Sequence, residues 1–220
     1  MMEDAGVALA ALSNRIRQCT ACRLCGGRTQ AVPGDGPAGA RVMFVGEGPG
    51  YHEDRQGTPF VGAAGQLLNE LLAGAGLSRG KVYITNIVKC RPPENRDPLP
   101  DEIEACRPFL EEQIALVDAQ VIVTLGRFAL EVFAPGARIS RVHGQPRSAG
   151  ARTLLPMLHP AAALHQPSWR RSLEEDFAEL RKVLAAPQVA LPSAAGTVAA
   201  SPHSAEAPVD DGSAEQLPMF

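Results

Sequence analysis

The chain has 220 residues, 45% of them hydrophobic and 20% charged, enough for one sizeable core but tight for two full domains. No apolar run reaches the roughly 18 residues of a membrane span, and the first residues, with Glu3 and Asp4, lack the basic-then-apolar pattern of a secretory leader, so a cytoplasmic protein is expected. In that compartment the five cysteines are not expected to form structural disulfides, which leaves metal ligation, catalysis or burial to account for them.

The formal net charge of -3 is misleading for the chain as a whole. From Pro187 to Phe220 there are four acids (Glu206, Asp210, Asp211 and Glu215), five prolines and no Lys or Arg. That composition predicts a disordered tail over 187–220 behind a single domain over 1–186. Without the tail's four acids the remainder holds 21 basic and 20 acidic residues. Any phosphate-binding surface must therefore be a local patch, because the overall field is nearly neutral.

Taken in chain order, an N-terminal helix ends at the C-x2-C pair Cys19 and Cys22. A buried strand is predicted at Val42 to Val45, followed by a glycine-rich loop. Leu67, Leu68, Leu71 and Leu72 then form a helical apolar stripe that stops at Gly74 and Gly76. Further strands are predicted at Val82 to Ile84, Val121 to Leu125 and Leu154 to Leu158. A last helix carries Trp169, Leu173, Phe177, Leu180 and Leu184 on one face. Strands alternating with helices predict a three-layer α/β/α fold around a central, mainly parallel four-stranded sheet. In such sheets ligands sit beyond the carboxyl ends of the strands, which directs attention to the segments after Val45, Ile84 and Leu158.

All three segments are unusual. Gly46-Glu47-Gly48-Pro49-Gly50 follows the first strand directly, with Glu53, Asp54, Phe60 and further glycines behind it. It matches neither a P-loop nor a dinucleotide fingerprint, and its acids would repel phosphate. Such a loop better suits a neutral ring held by backbone amides, with Phe60 for stacking and carboxylates opposing a developing positive charge. After the second strand, Cys90 and Cys106 lie 16 positions apart around a loop containing Pro92, Pro93, Pro98 and Pro100. With Cys19 and Cys22 they could close around one metal centre, and their spacing leaves zinc and an iron-sulfur cluster both open. Cys25 is the fifth thiol and has no evident role.

The run G-E-G-P-G-x-x-E-D-x-x-G-x-P-F-V-G-x-A-G-x-L-L, from Gly46 to Leu68, closely resembles the first signature of family-4 uracil-DNA glycosylases. The resemblance continues through Thr85-Asn86-Ile87-Val88-Lys89-Cys90-Arg91-Pro92-Pro93, Cys106-Arg107-Pro108 and His159-Pro160-Ala161-Ala162. It implies a DNA repair hydrolase that releases uracil by cutting its glycosidic bond, and a four-iron, four-sulfur cluster on Cys19, Cys22, Cys90 and Cys106. It further implies that Asn86 reads the uracil edge, and that His159 and the Gly48 amide serve O2 as charge develops there. The acids Glu47 and Glu53 would face the sugar, with Glu53 also at the pocket wall near the base C5 position. Phe60 would stack on the extruded ring, and Leu164 with His165 would enter the minor groove.

This sequence departs from the family at several places. Relatives often carry Arg at the position of His165, acids at Tyr51 and His52, and an aromatic residue at Cys25. The arginine-rich insertion of relatives that trap uracil covalently is missing, and Glu47 with Asn86 separates the chain from family-5 enzymes. Two rival readings are a non-catalytic cluster or zinc protein that binds DNA or shuttles electrons, and a glycosylase of broader range. Finally, Gln216-Leu217-Pro218-Met219-Phe220 resembles the short peptides that dock into bacterial sliding clamps, which implies a hook that raises the enzyme's concentration on newly copied DNA; a monomer associated with the nucleoid and acting on uracil-containing DNA, single or double stranded, is expected.

Overall fold

The computed structural model describes residues 2–164 and 166–186. His165 and the expected tail, with Gln216, Leu217, Met219 and Phe220, lie outside the described residues. Helix α1 (Met2–Gln18) leads through the cysteine-bearing turn to strand β1 (Val42–Gly46). Helices α2 (Tyr51–Gln56) and α3 (Ala63–Gly74) precede β2 (Tyr83–Asn86), and α4 (Pro100–Val117) precedes β3 (Val121–Leu125). The short helices α5 (Arg127–Phe133) and α6 (Ile139–Val142) lead to β4 (Arg147–Ala149) and β5 (Arg152–Met157). Helices α7 (Pro160–Ala163) and α8 (Pro167–Ala185) complete the described chain.

The strands line up in the order β2-β1-β3-β5-β4, parallel except for the β4–β5 pair. The expected four-stranded sheet thus has a fifth strand. Its three residues, Arg147, Ser148 and Ala149, are all exposed, so neither an apolar run nor alternation marks them; pairing with β5 alone holds them extended.

The period of two along each inner strand divides the core. In β1, Met43 and Val45 face the layer that holds Leu12, Ile16 and Leu110 from α1 and α4. Val42 and Phe44 face the layer of Leu68, Leu72, Leu173 and Phe177 from α3 and α8. Because both faces are covered, every β1 residue is buried, which is why the strand reads as a continuous apolar run. On α8 the rings of Phe177 and Phe44 stack at 5.9 Å. Trp169, expected on the same apolar face, is instead 41% exposed; it sits in the first turn of α8, whose buried residues begin at Leu173. No helix among the described residues is long and apolar enough to cross a membrane.

Since Phe177 fills the α8–sheet interface, Phe177→Ala should lower the unfolding free energy by about 3–5 kcal/mol, read by chemical denaturation. Trp169→Ala should change it by less than about 0.5 kcal/mol.

Candidate active site

Beyond the carboxyl ends of β1, β2 and β5 lies a cavity of about 320 Å³, lined by Glu47, Gly48, Phe60, Asn86, Asn95 and His159 among others. Its base is set by strand pairing: Gly46 is the register partner of Asn86. A Cβ added at Gly46 would lie 2.5 Å from the Asn86 Oδ1 and 2.7 Å from the Phe60 Cζ. Only glycine lets these three groups crowd together there. Asn86 is 1% exposed, and its buried Oδ1 has no hydrogen-bond partner among the described residues. An unmet buried carbonyl costs roughly 1–3 kcal/mol, and such orphans are rare outside sites awaiting a ligand.

Phe60 is buried, yet its backbone is left-handed at φ 51°, a costly state for a bulky residue. Two groups hold it there. The Glu53 carboxylate accepts from the amides of Gly50 (3.1 Å), Val61 (2.8 Å) and Gly62 (2.8 Å), and the Arg79 guanidinium donates to the carbonyls of Pro59 and Phe60. Glu53 therefore fastens the loop after β1 to the loop before α3. Phe60 is both a core residue and part of the cavity wall, with its ring 5.7 Å from that of His159.

His159 caps α7, and its Nδ1 accepts from the Ala161 amide at 3.1 Å. A neutral imidazole so bonded carries its proton on Nε2, leaving that nitrogen as a donor. The ring opens partly to the cavity but is crowded by protein, and burial pushes its pKa down to about 4, against a smaller opposing pull from Glu53. It is neutral at pH 7. Glu47 makes no hydrogen bond through its carboxylate among the described residues. Burial, and secondarily Asp97, raise its pKa, with Arg127 opposing. Asp97 and Arg127 are themselves paired at 2.5 Å.

On the other side of the segment after β2, Cys19, Cys22, Cys25, Cys90 and Cys106 surround a small void, and all five are free thiols. Among the described residues no three His, Cys, Asp or Glu side chains are gathered closely enough to hold a single metal ion. Three of the sulfurs have N–H donors: Arg28 Nη1 to Cys90 (3.1 Å), the Lys89 amide to Cys106 (3.3 Å) and the Ala21 amide to Cys19 (3.4 Å). Burial raises the thiol pKa of Cys106 to about 11. Cys25 borders the same void, so position alone does not set it apart.

Between the two centres runs a buried polar knot. The Lys89 Nζ donates to the Asn86 carbonyl (2.6 Å), the Gln113 Oε1 (2.6 Å) and the Thr85 Oγ1 (2.8 Å). Gln113 in turn donates to the Pro33 carbonyl and the Tyr83 hydroxyl.

The cavity thus brings together Glu47, Gly48, Glu53, Phe60, Asn86 and His159. Leu164 is 40% exposed outside it. Sequence reading missed Asn95 and Arg96, which enter the cavity from the proline-rich loop. Arg96 is anchored there by two bonds to the buried Glu102, at 2.9 and 2.6 Å. Proline density marked that loop but not which of its side chains turn inward.

Residues 33–185 match the family described as the uracil DNA glycosylase superfamily. The chain belongs to that superfamily. It falls in the type-4 branch, being 44% identical to a type-4 uracil-DNA glycosylase of Sulfurisphaera tokodaii over 80% of this chain and 85% of that protein. A type-4 uracil-DNA glycosylase of Thermotoga maritima is 45% identical over 79% of this chain and 93% of its own. A type-5 uracil-DNA glycosylase of Thermus thermophilus is 37% identical over 53% of this chain and 68% of its own.

The fold holds the His159 imidazole at about 4 against an ordinary 6.5, so between those values the unfolded chain binds the extra proton. The contribution of the neutral ring to stability is complete above pH 6.5 and is lost as pH falls toward 4. Ring resonances of His159 should titrate near 4 by NMR, and His159→Gln should flatten that part of the acid-side loss in denaturation experiments stepped through pH. A ring that titrates near 6.5 would contradict the assignment.

Proposed function

We propose that this chain hydrolyses the N-glycosidic bond of deoxyuridine in DNA, releasing uracil and leaving an abasic site. The observation that carries this reading is the buried Oδ1 of Asn86, without a partner among the described residues, at the floor of a cavity. The N3–H of uracil supplies the missing donor, while the Asn86 amide donates to O4; cytosine offers the reverse pattern on that edge. Extrusion of the nucleotide costs a few kcal/mol and is cheapest where pairing is already weak.

As the bond from C1′ to N1 breaks, its electron pair stays with the uracil ring. The neutral His159, donating through Nε2–H, and the Gly48 amide meet the charge arriving at O2. Positive charge on the deoxyribose faces Glu47, whose carboxylate is not tied up in hydrogen bonds. Its raised proton affinity suits it to accept a proton from the water whose oxygen bonds to C1′. Glu53 acts differently: with three backbone amides on its carboxylate, it keeps the cavity wall where a thymine methyl would need room. Phe60 stacks on the uracil ring, and Leu164 with His165 occupies the gap that the base leaves.

Cys19, Cys22, Cys90 and Cys106 hold a four-iron, four-sulfur cluster in this reading. The set fits: each iron takes one thiolate, so ligands surround a bulky object rather than meet at a point, and N–H donors already face three of the sulfurs. When bound, the cluster supplies iron–thiolate bonds that tie the end of α1 to the proline-rich loop and α4. The same reading keeps Gln216, Leu217, Met219 and Phe220 as a hook for a sliding clamp, on a monomeric enzyme acting on single- or double-stranded DNA in the nucleoid.

Incubation with a uracil-containing oligonucleotide followed by alkaline cleavage should reveal abasic sites. His159→Ala should lower turnover about 100- to 1,000-fold with little change in DNA affinity. Asn86→Asp should weaken uracil release and admit some cytosine. Absence of abasic sites with wild-type protein would remove the reading.

Purified protein should be yellow-brown and contain iron. Cys90→Ala should lose that iron and melt at lower temperature, whereas Cys25→Ala should keep both. Zinc in place of iron, or bleaching by Cys25→Ala, would refute the ligand assignment.

A further inference from the structure

Beside the cavity mouth lies a surface that the mechanism leaves unused. Tyr51 follows Gly50 of the cavity wall and is 49% exposed. The guanidinium carbons of Arg91 and Arg55 lie 5.3 and 5.6 Å from its ring centroid. The His52 ring also meets Tyr51 edge-on at 5.4 Å, and neither guanidinium packs as closely as Arg127 does on Phe128 at 4.0 Å, so about half of the residue stays open. Arg15, Arg23, Arg96 and Arg170 each meet a carboxylate. Among the described residues Arg55 and Arg91 meet none. Arg91 is held in place from the cavity side, donating from Nε to the Asn95 Oδ1 at 2.7 Å, and Asn95 itself lines the cavity. The result is a half-exposed aromatic ring flanked by two cations that meet no carboxylate among the described residues, continuous with the cavity through Gly50 on one segment and through Pro92 and Asn95 on another.

We infer that Tyr51, Arg55 and Arg91 form a platform for the nucleotide next to the extruded uracil: its base stacks on Tyr51 and its phosphate lies between the two guanidiniums. Every base has a π-face, so such a platform is indifferent to sequence, and it acts best on an unpaired neighbour that is free to leave its own stack. Charge complementarity with the backbone favours this occupant. The inference rests on the glycosylase reading, because it takes the strand in the cavity to be DNA.

The test measures the affinity of full-length protein, by fluorescence anisotropy, for a single-stranded oligonucleotide with one 2′-fluorinated deoxyuridine, whose electron-poor sugar resists cleavage. A second oligonucleotide lacks the bases on both sides of that residue. Tyr51→Ala should weaken binding to the first about tenfold and leave binding to the second unchanged, while Tyr51→Phe should bind both as wild type does. Arg55→Gln should lower the slope of log affinity against log salt by about one. A Tyr51→Ala affinity equal to wild type on the first strand, or an equal loss on both strands, would overturn the platform. Release of uracil from an ordinary strand is scored separately, so that failure of the glycosylase reading shows there and failure of the platform shows in the binding cycle.

Discussion

The site depends on the parallel pairing of β1 and β2 at their carboxyl ends. Register places Gly46 against Asn86, and the missing side chain at Gly46 is the space into which the Asn86 amide and the Phe60 ring fit. Backbone hydrogen bonds of a buried central sheet thus fix the position of Asn86, the group proposed to read the base. A pocket built on strand ends is more exact than one built on loops alone. The loops that do contribute are tied down by charge: Glu53 on three amides, Arg79 on two carbonyls, and Arg96 on Glu102.

Lys89 extends that control across the segment. A fully buried ammonium is expensive unless each proton finds an acceptor, and its three partners number three. One of them is the Asn86 carbonyl, and the Lys89 amide also donates to Cys106. Burial pulls the Lys89 pKa down to about 7, a measure of how little water reaches the knot. The stretch from Thr85 to Cys90 therefore joins the cavity floor at Asn86 to the cysteine group within five peptide bonds, through packed polar contacts rather than a flexible hinge.

Much of this was legible in the sequence because its causes are local. The inner strands are covered on both faces, so they had to be apolar runs. Gly46, Glu47, Asn86 and His159 stand directly after such runs, where an open parallel sheet places its ligands. What escaped was decided by tertiary contact. Arg147 to Ala149 extend only because β5 lies beside them. Trp169 has the right spacing, but the buried face of α8 begins one turn later, at Leu173. The inward turn of Asn95 and Arg96 comes from left-handed backbone at Glu94 and Asn95, φ 54° and 55°, and from a carboxylate at Glu102, none of which a periodicity can show. Glu53 was visible as an acid in a signature; that its carboxylate is consumed by three amides required coordinates.

In the proposed mechanism, the bond from the Ala161 amide to His159 has a consequence for how a turnover begins. In water a neutral imidazole wanders between two tautomers, and only one of them offers a hydrogen on the nitrogen that a reacting carbonyl oxygen can use. Here the first turn of α7 makes that selection when the chain folds, through a single backbone amide. In the proposed mechanism an incoming nucleotide would meet a ring already in the useful form, with no proton to be reshuffled before bond breaking starts.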